Sequence, residues 1–373
     1  MAVQTTNYQC PACTAPLQYA AGTDKLECQF CGSSFDLETV EQYYSEKEKQ
    51  AAEAMEEARQ NPISEEDPWD SSQIEESWGP DGAAMRTYTC PSCTAELICD
   101  ETTAASSCPY CGNPTVIPGQ FSGALKPDYV IPFQLDKKSA IAALKNHYKG
   151  KLFLPQTFLD TNTIEKIQGV YVPFWLYDGE AYGNMVFTGK RIRTYRRGDD
   201  EITETDHYLV ERSGSLSFEK VPVDASTKMP DEYMDSIEPF NYQQLQPFST
   251  AYLPGFLADK FDVSIEQCNH HADERCVQSL QNALRNTVIG YDIVEPRSSN
   301  IKLRRGKVHY AMLPVWLLNV KWNDKIHLFA INGQTGRVAG NLPVSMGKVA
   351  AMFASLAIPL SALGYLLAQI IAG

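Results

Sequence analysis

The longest apolar run of the chain lies at its C-terminal end. Residues 349–373 contain no charged side chain and are apolar on every helical face, unlike an amphipathic surface helix. At 1.5 Å per residue this run extends over about 37 Å, more than the roughly 30 Å of a hydrocarbon core. The pattern predicts one transmembrane helix over residues 349–372. A buried core helix is the weaker alternative, because such helices seldom carry so long an apolar run.

Residues 118–345 alternate between apolar runs of strand length and helical periodicity, and we expect one α+β domain there. Runs rich in β-branched and aromatic residues predict strands, and amphipathic patterns predict helices. The strands are expected at 129–133, 170–177, 181–195, 308–320 and 326–331, and the helices at 137–148 and 264–287. We interpret Asp178-Gly179 as a break between the second and third strands.

The segment between residues 37 and 85 is polar and acidic. Residues 37–60 are rich in Glu, Lys, Gln and Ala, which predicts a charged, solvated helix. Residues 61–85 contain three prolines and few aliphatic side chains, which predicts an acidic disordered linker. Trp69 and Trp78 in this linker have two interpretations: chance placement, or a motif that docks on a partner.

The net charge of −14 is concentrated in the same segment. Residues 36–85 hold fifteen acidic and three basic side chains, whereas residues 118–373 are close to neutral. Nucleic-acid binding depends on the neutralisation of phosphates by Lys and Arg. The missing basic patch therefore argues against nucleic acid as a partner.

One cysteine pattern occurs twice, with the second copy 80 residues after the first. Each copy has two Cys-x-x-Cys pairs separated by fourteen residues, and Gly32 or Gly112 follows the second pair. Each tight turn presents two sulfurs to a tetrahedral ion, so the spacing predicts zinc ribbons at residues 1–36 and 86–117, with two structural Zn²⁺ ions. The predicted ligands are Cys10, Cys13, Cys28, Cys31, Cys90, Cys93, Cys108 and Cys111.

Disulfides and a thioredoxin-like redox pair are the competing interpretations of these cysteines. Disulfides need an oxidising compartment, and the polar residues 1–7 do not resemble a signal peptide. A redox pair is expected singly and in a βαβ context. Cys99 lies inside the second copy, but Tyr19 stands at the equivalent position of the first, so we expect a packed or surface thiol. Four thiolates per ion leave no position open for catalysis.

Other candidate chemistry is sparse. Cys268, His270, His271 and Cys276 share the second predicted helix. Their two cysteines do not have the Cys-x-x-Cys spacing of a zinc-binding turn, which favours ordinary polar groups over a third metal site. The sequence has no Gly-x-x-x-x-Gly-Lys-Ser/Thr phosphate loop, no His-Glu-x-x-His and no Gly-x-Ser-x-Gly. We therefore expect a protein that is not an enzyme.

The flanks of the predicted span indicate its orientation. Arg337 and Lys348 precede it and no charged residue follows, so the positive-inside rule predicts that the bulk of the chain is cytoplasmic. Small residues at heptad spacing in the span permit close helix packing and self-association, although composition alone can produce such a stripe. The stripe consists of Ala350, Ala354, Ala357, Ser361, Gly364 and Ala368.

Several motifs together give the chain a family resemblance. They are the two cysteine patterns, VYVPFWLYD at 170–178, LPGF at 253–256, LPVWLL at 313–318, NGQTG at 332–336 and the apolar tail. The chain resembles bacterial membrane proteins of the transcription-factor-IIB-type zinc-ribbon class, often labelled primosomal-helicase-like. The resemblance implies a cytoplasmic zinc-ribbon head on a membrane-anchored α+β domain, the same eight zinc ligands, and association with flotillin-like (band 7) scaffolds and phage-shock-type envelope-stress proteins. It brings no catalytic residues.

These features predict a multidomain protein with two small β zinc ribbons, an α+β domain and one C-terminal transmembrane helix. We expect a non-enzymatic, single-pass adaptor at the cell membrane whose zinc ribbons bind a protein partner. One alternative is a membrane-tethered nucleic-acid-binding zinc-ribbon protein, linked to transcription or replication. Another is an enzyme or lipid-handling protein that uses residues 118–345, for which the sequence supplies no site.

Overall fold

The computed structural model describes most of the chain from residue 68 onward and short stretches before it. The described residues are 17–20, 25–27, 33–46, 49, 68–74, 78–79, 82, 85–100, 103, 105, 107–120, 125–155, 158, 164–323 and 325–372. The chain divides into two compact units. The first unit comprises residues 1–67, 180–217 and 277–304, and the second comprises residues 68–179, 218–276 and 305–373. The predicted multidomain α+β class is confirmed, although these units differ from the predicted domain boundaries.

Strands and helices are both well represented in the described residues. The strands are β1 (Gln18–Ala20), β2 (Lys25–Glu27), β3 (Ser34–Asp36), β4 (Met85–Thr89), β5 (Glu96–Asp100), β6 (Ile117–Gln120), β7 (Tyr129–Val130), β8 (Gln168–Arg197), β9 (Asp200–Asp224), β10 (Gln246–Pro247), β11 (Leu257–Asp259), β12 (Ile293–Trp322), β13 (Lys325–Asn332) and β14 (Val338–Gly340). The helices are α1 (Lys137–Tyr148), α2 (Asp231–Ile237), α3 (Ile265–Asn286) and α4 (Met346–Ala372). The predicted helices near 137–148 and 264–287 are thus confirmed.

The first unit contains a small antiparallel sheet in the order β1-β2-β3. Leu26 at its centre pairs with Tyr19 on one side and Phe35 on the other, and it is buried. Residues 37–46 continue from β3 as a helix, in agreement with the start of the predicted charged helix. Residues 50–60 of that prediction lie outside the described residues.

Four long elements, β8, β9, α3 and β12, contribute residues to both units. The predicted break at Asp178-Gly179 is wrong, because β8 continues through it. The Asp178 carboxylate does not fold back to form a turn, since it accepts the backbone N–H of Lys220 (2.7 Å) on the neighbouring β9. The division between the two units nevertheless falls at this point, between residues 179 and 180.

A large mixed sheet forms the centre of the second unit, with the strand order β10-β7-β12-β8-β11-β5-β4-β6. β12 runs parallel to β7 and β8 runs parallel to β11. Residues 170–177 of β8 and most of residues 308–320 of β12 are buried, as expected of central strands covered on both faces. Their aromatic side chains include Trp175, whose indole N–H donates to Val263 O (3.0 Å).

The predicted second zinc ribbon is not a separate domain. Its strand β4 pairs with β5 and β6, and β5 in turn pairs with β11 of the central sheet through Ile98↔Ala258 and Leu97↔Asp259. Leu97, Ile98 and Cys99 are all buried, so β5 is covered on both faces. The predicted boundary between residues 117 and 118 is therefore wrong, because residues on both sides of it form one sheet.

Part of the predicted disordered linker is ordered on the second unit, which corrects the prediction for residues 61–85. Trp69 and Trp78 are both buried. Trp69 packs edge-on against Tyr177 with ring centroids 4.8 Å apart, and its indole N–H donates to Asp273 (3.1 Å). Trp78 donates to Leu125 O (3.0 Å). The physical reason is that each indole buries a large apolar surface while its one polar atom finds an acceptor. Residues 61–67 lie outside the described residues.

The helix α4 corresponds to the predicted membrane span. Residues Met346–Gly364 are long and apolar enough to cross a membrane, and no part of the most apolar window is buried by the described residues. Phe353 and Ile358 expose 73% and 68% of their surface. The described residues thus contain one candidate span, at the C-terminal end, which is compatible with a single-pass anchor.

The docking of Trp69 can be tested by substitution. Trp69→Ala removes a buried indole, and we expect the free energy of unfolding of the full chain in mild detergent to fall by about 3–5 kcal/mol. Trp69→Phe keeps a ring against Tyr177 but loses the hydrogen bond to Asp273 and part of the buried indole surface, which predicts a smaller loss of about 1–3 kcal/mol. The measurement is urea unfolding followed by circular dichroism. Tyr195→Ala, at an aromatic side chain that is 43% exposed, is the control. Equal effects of Trp69→Ala and Tyr195→Ala would show that the segment is not docked.

Candidate metal centre

Two tight turns at one end of the strands β4, β5 and β6 bring four cysteines together. The first turn follows β4 and is closed by the Thr94 N–H, which donates to Cys90 O (2.9 Å). The second precedes β6 and is closed by the Gly112 N–H, which donates to Cys108 O (3.0 Å). Gly112 has φ of 73°, which explains the glycine at this position, whereas Thr94 takes the equivalent conformation (φ 59°) with a side chain. Both turns therefore have the geometry of a metal-binding knuckle.

The four sulfur atoms, those of Cys90, Cys93, Cys108 and Cys111, lie within 4.8 Å of one another. Two of the separations are Cys90 Sγ to Cys111 Sγ at 3.6 Å and Cys93 Sγ to Cys108 Sγ at 3.5 Å. Thiolates at about 2.3 Å from a tetrahedral ion are about 3.8 Å apart. The four side chains thus fit a tetrahedral metal ion, and they can hold one.

Backbone amides favour the thiolate at Cys90, whereas burial is the larger cause at Cys93 and Cys108 and raises the pKa of both thiols. Burial raises the pKa of Cys90, but the N–H groups of Cys93 and Ser92 outweigh it and leave the pKa at about 7. Burial is also the main cause acting on Cys108, whose pKa is raised although the N–H groups of Cys111 and Tyr110 oppose the change. A bound cation deprotonates coordinating thiols, so the buried site needs an ion to hold four sulfurs in the anionic form.

The structure places the remaining candidate ligands as follows. Cys10, Cys13, Cys28 and Cys31 lie outside the described residues. Cys99 is buried, donates to Thr103 O (3.1 Å) and stands apart from the cluster, as expected for a packed thiol.

The group in α3 does not assemble into a second metal cluster within the described part of the chain. Cys268 and Cys276 are buried, whereas the His270 side chain is exposed and lies 3.3 Å from Glu274 on the same helix. The preference for ordinary polar groups over a third metal site stays a prediction.

A buried hydrogen-bond network fixes the second knuckle to the central sheet. Tyr110, between Cys108 and Cys111, donates its hydroxyl to Asp259 Oδ2 (2.7 Å), which also accepts from Ser226 Oγ (2.7 Å). Burial raises the pKa of Asp259 to about 7. Asp224 is buried nearby, and burial followed by the charge of Asp259 raises its pKa well above the usual range. Among the described residues no donor reaches Asp259 Oδ1 or Asp224 Oδ2.

Sequence reasoning missed this network, although one signal was present. The position equivalent to Tyr110 in the first cysteine pattern is Phe30, so at this position the two copies differ by one hydroxyl. A buried hydroxyl needs a partner, and that requirement predicts an acceptor on a neighbouring element. Nothing in the sequence identifies Asp259 as that acceptor, because it is 149 residues away.

Two amide side chains also form hydrogen bonds at or next to the second knuckle. Asn319 of β12 donates to Pro109 O, and Gln168 at the start of β8 donates to Ser107 Oγ (2.9 Å). The second knuckle is thereby bonded to three strands of the central sheet, β8, β11 and β12. A cavity of about 660 Å³ lies beside it. Its lining includes Cys108, Cys111, Phe158, Lys166, Lys321 and Trp322.

A second polar cluster lies in the same unit and was also missed. Asp178 accepts from Lys220 Nζ (2.9 Å) and lies 3.0 Å from His309 Nε2. Burial opposes ionisation of Asp178, but His309 and Lys220 outweigh it and hold the pKa of this carboxyl well below its usual range. Lys220 has a positive φ of 60°, a strained conformation for a side-chain-bearing residue. The Asp178 carboxylate thus links the three strands β8, β9 and β12, and we interpret the cluster as a structural one.

Comparison with known proteins gives one informative relative. No protein-family model matches the chain, and no solved structure matches it. The chain is 37% identical over 242 residues to a protein of Bacillus subtilis (strain 168) described as "Uncharacterized protein YdjG". The alignment covers 65% of this chain and 71% of the relative.

The buried Asp259 gives the fold a predictable pH dependence. Its pKa is about 7 in the folded chain and about 3.9 in the unfolded chain, so between these values the folded state holds a proton that the unfolded state has released. The free energy of unfolding should therefore fall as the pH rises, by about 2 kcal/mol between pH 5.5 and 7.5 from this group alone. Asp259→Asn should remove this part of the pH dependence.

The measurement is urea unfolding of the metal-loaded chain in mild detergent at pH 5.5, 6.5 and 7.5. Asp199→Asn, at an exposed position in the β8–β9 turn, should keep the wild-type pH dependence. If Asp259→Asn and the wild type lose stability equally over this range, Asp259 is not the protonated group.

Proposed function

This chain belongs to the same family as the Bacillus subtilis protein YdjG, and we propose that it is a non-enzymatic, membrane-anchored adaptor with two structural zinc ions. The observation that carries the proposal is the combination of a closed four-thiolate site with an apolar helix that the described residues do not bury. The four-thiolate site needs a metal ion to hold its sulfurs together, and the apolar helix needs a membrane or another apolar partner.

Zinc is the ion that the site suits best. Four cysteine sulfurs in tetrahedral range are typical of structural zinc, and oxygen-seeking cations such as Mg²⁺ and Ca²⁺ do not select thiolates. Cys10, Cys13, Cys28 and Cys31 repeat the same spacing, which is why we propose a second ion in the first pattern. All four ligands of each ion would come from the chain, so neither ion would have a position for substrate.

The membrane anchor in this proposal is α4, with the bulk of the chain on the cytoplasmic side. Lys348 and Arg337 lie on the N-terminal side of the span, where the positive-inside rule expects them in the cytoplasm. That compartment also keeps cysteines reduced and available for metal. Self-association of the span through its small-residue stripe stays a prediction.

The adaptor role is supported by the difference between the two cysteine patterns. Tyr110 and Asn319 tie the second knuckle to the central sheet, so we propose that this metal site is part of the scaffold. We assign docking of a partner to residues 1–60, the first pattern and its charged helix. A flotillin-like (band 7) or envelope-stress membrane protein is the proposed partner class, on the family resemblance alone.

Charge argues against the nucleic-acid alternative. The most basic stretch, residues 190–197 of β8, contains five Lys and Arg, but residues 199–206, in the following turn and the start of β9, contain five Asp and Glu. Tyr195 donates to Glu204 across this hairpin (2.9 Å). The hairpin is therefore balanced in charge, unlike the basic stripes that bind phosphates.

The zinc content can be measured by plasma mass spectrometry of the purified full chain. We expect two zinc ions per chain, one remaining in Cys13→Ser and one in Cys93→Ser, because each substitution removes a ligand of a different site. Cys99→Ser is the matched control, since Cys99 lies outside the cluster, and it should keep both ions. A Cys93→Ser protein that keeps full zinc would contradict the assignment.

The adaptor role is tested by affinity purification of the tagged full chain from detergent-solubilised membranes. We expect a stoichiometric membrane protein partner and an absorbance ratio at 260/280 nm typical of protein. Cys10→Ser/Cys13→Ser should reduce recovery of the partner at least tenfold, while Cys99→Ser should not. Recovery of bound nucleic acid from the soluble fraction, or a partner unaffected by the double substitution, would overturn the proposal.

A further inference from the structure

The loop that follows α1 exposes apolar side chains beside the start of the candidate span. Leu152 in this loop is 71% exposed, and Val344, just before α4, and Met346, its first residue, are 58% and 75% exposed. A shallow cavity of about 320 Å³, lined by Leu152, Phe153 and Val344 among others, separates the two stretches. Large apolar side chains gathered in this way are costly in water and are typical of an interaction surface.

Two hydrogen bonds fix the loop to the first turn of α4. The Ser345 N–H donates to Phe153 O (2.8 Å), and Lys348 Nζ donates to Leu154 O (2.7 Å). Ser345 O in turn accepts the N–H of Val349, in the first turn of the helix. The loop is therefore held at the end of α4 that would enter the membrane, and a membrane spanned by α4 would bring its headgroup layer to the loop.

The charged side chains in and next to the loop at residues 149–154 are all basic. Lys149 and Lys151 flank Gly150 and are exposed, and Lys145 in the last turn of α1 is exposed as well. No acidic residue occurs between Asp136 and Asp160, and none occurs in residues 338–348. This is the composition of an interfacial segment, with apolar side chains for the headgroup boundary and lysines for anionic phosphates.

We propose that residues 149–154 form a second membrane contact, in which Leu152 and Phe153 enter the headgroup layer and Lys149 and Lys151 bind the phosphates of anionic phospholipids. The contact lies in the leaflet where α4 begins. It rests on the proposed membrane span, because continuity with α4 is what brings the loop to the lipid. The loop fixes the tilt and rotation of the anchor relative to the second unit, which a single helix entering the bilayer does not do alone.

The proposal predicts that the fraction of chains whose loop is inserted in the headgroup layer rises with the negative charge of the lipid. Each lysine near an anionic surface strengthens membrane association about fivefold, so two lysines change the ratio of inserted to exposed loop about 25-fold. Neutral vesicles, or loss of both lysines, should therefore return the loop to water while α4 remains in the bilayer.

The test uses the full chain reconstituted in vesicles. Leu152→Cys is labelled with an environment-sensitive nitrobenzoxadiazole probe, and the unsubstituted chain is treated in parallel to give the background from native cysteines. Vesicles contain either 30% phosphatidylglycerol in phosphatidylcholine or phosphatidylcholine alone. Quenching by aqueous iodide and by lipids with a nitroxide on the acyl chain reports whether the probe lies in water or in lipid.

We expect strong nitroxide quenching and weak iodide quenching in the anionic vesicles, and the reverse pattern in neutral vesicles. Lys149→Gln/Lys151→Gln should shift the anionic result to the neutral one. Lys137→Gln/Lys138→Gln is the matched control, because it removes the same charge from exposed lysines in the first turn of α1, and it should leave the quenching unchanged.

A second label separates this inference from the proposed span. A probe at Leu360→Cys, in the apolar part of α4, should be quenched by nitroxide lipids in both kinds of vesicle, and the chain should resist carbonate extraction. If the Leu360 probe behaves so while the Leu152 probe is equally open to iodide in both vesicles, the loop contact is wrong and the span stands. Extraction of the chain by carbonate would overturn both.

Discussion

The pairing of β5 with β11 is the contact on which the architecture of the metal centre depends. β11 has only three residues, yet it pairs with β5 on one side and with β8 on the other. Through it, a cysteine-bearing hairpin that would otherwise fold around its ion alone becomes part of a sheet with a large core. Asp259 ends β11 and accepts the hydroxyl of Tyr110, so the same short strand supplies both the backbone pairing and the polar contact.

This arrangement changes what the metal does. A free zinc ribbon is too small to bury a stable core and depends on its ion for the fold as a whole. Here β5 is buried by the central sheet, so an ion held by the four cysteines would mainly position the two knuckles at the end of that sheet.

The local part of this fold could be predicted from the sequence, and the long-range part could not. The four cysteines of the second pattern, α1 and α3 follow from spacing and helical periodicity, which are properties of neighbouring residues. β9 and the first half of β12 were missed because their side chains are largely exposed and charged, so no apolar run marks them. Trp69 was predicted to lie in a linker because the residues around it are acidic and rich in proline. Its hydrogen-bond partner Asp273 is 204 residues away, so no local pattern indicates the contact. Only tertiary contacts decide such positions.

The distribution of charge connects the acidic segment with the lysines near α4. Residues 36–85 carry fifteen acidic and three basic side chains, whereas residues 145–151 carry three lysines and no acid. An anionic leaflet attracts the second group and repels the first, and both effects act over about one Debye length, roughly 8 Å at physiological salt. With α4 in such a leaflet, the lysine-bearing loop is drawn to the surface and the acidic segment is driven from it.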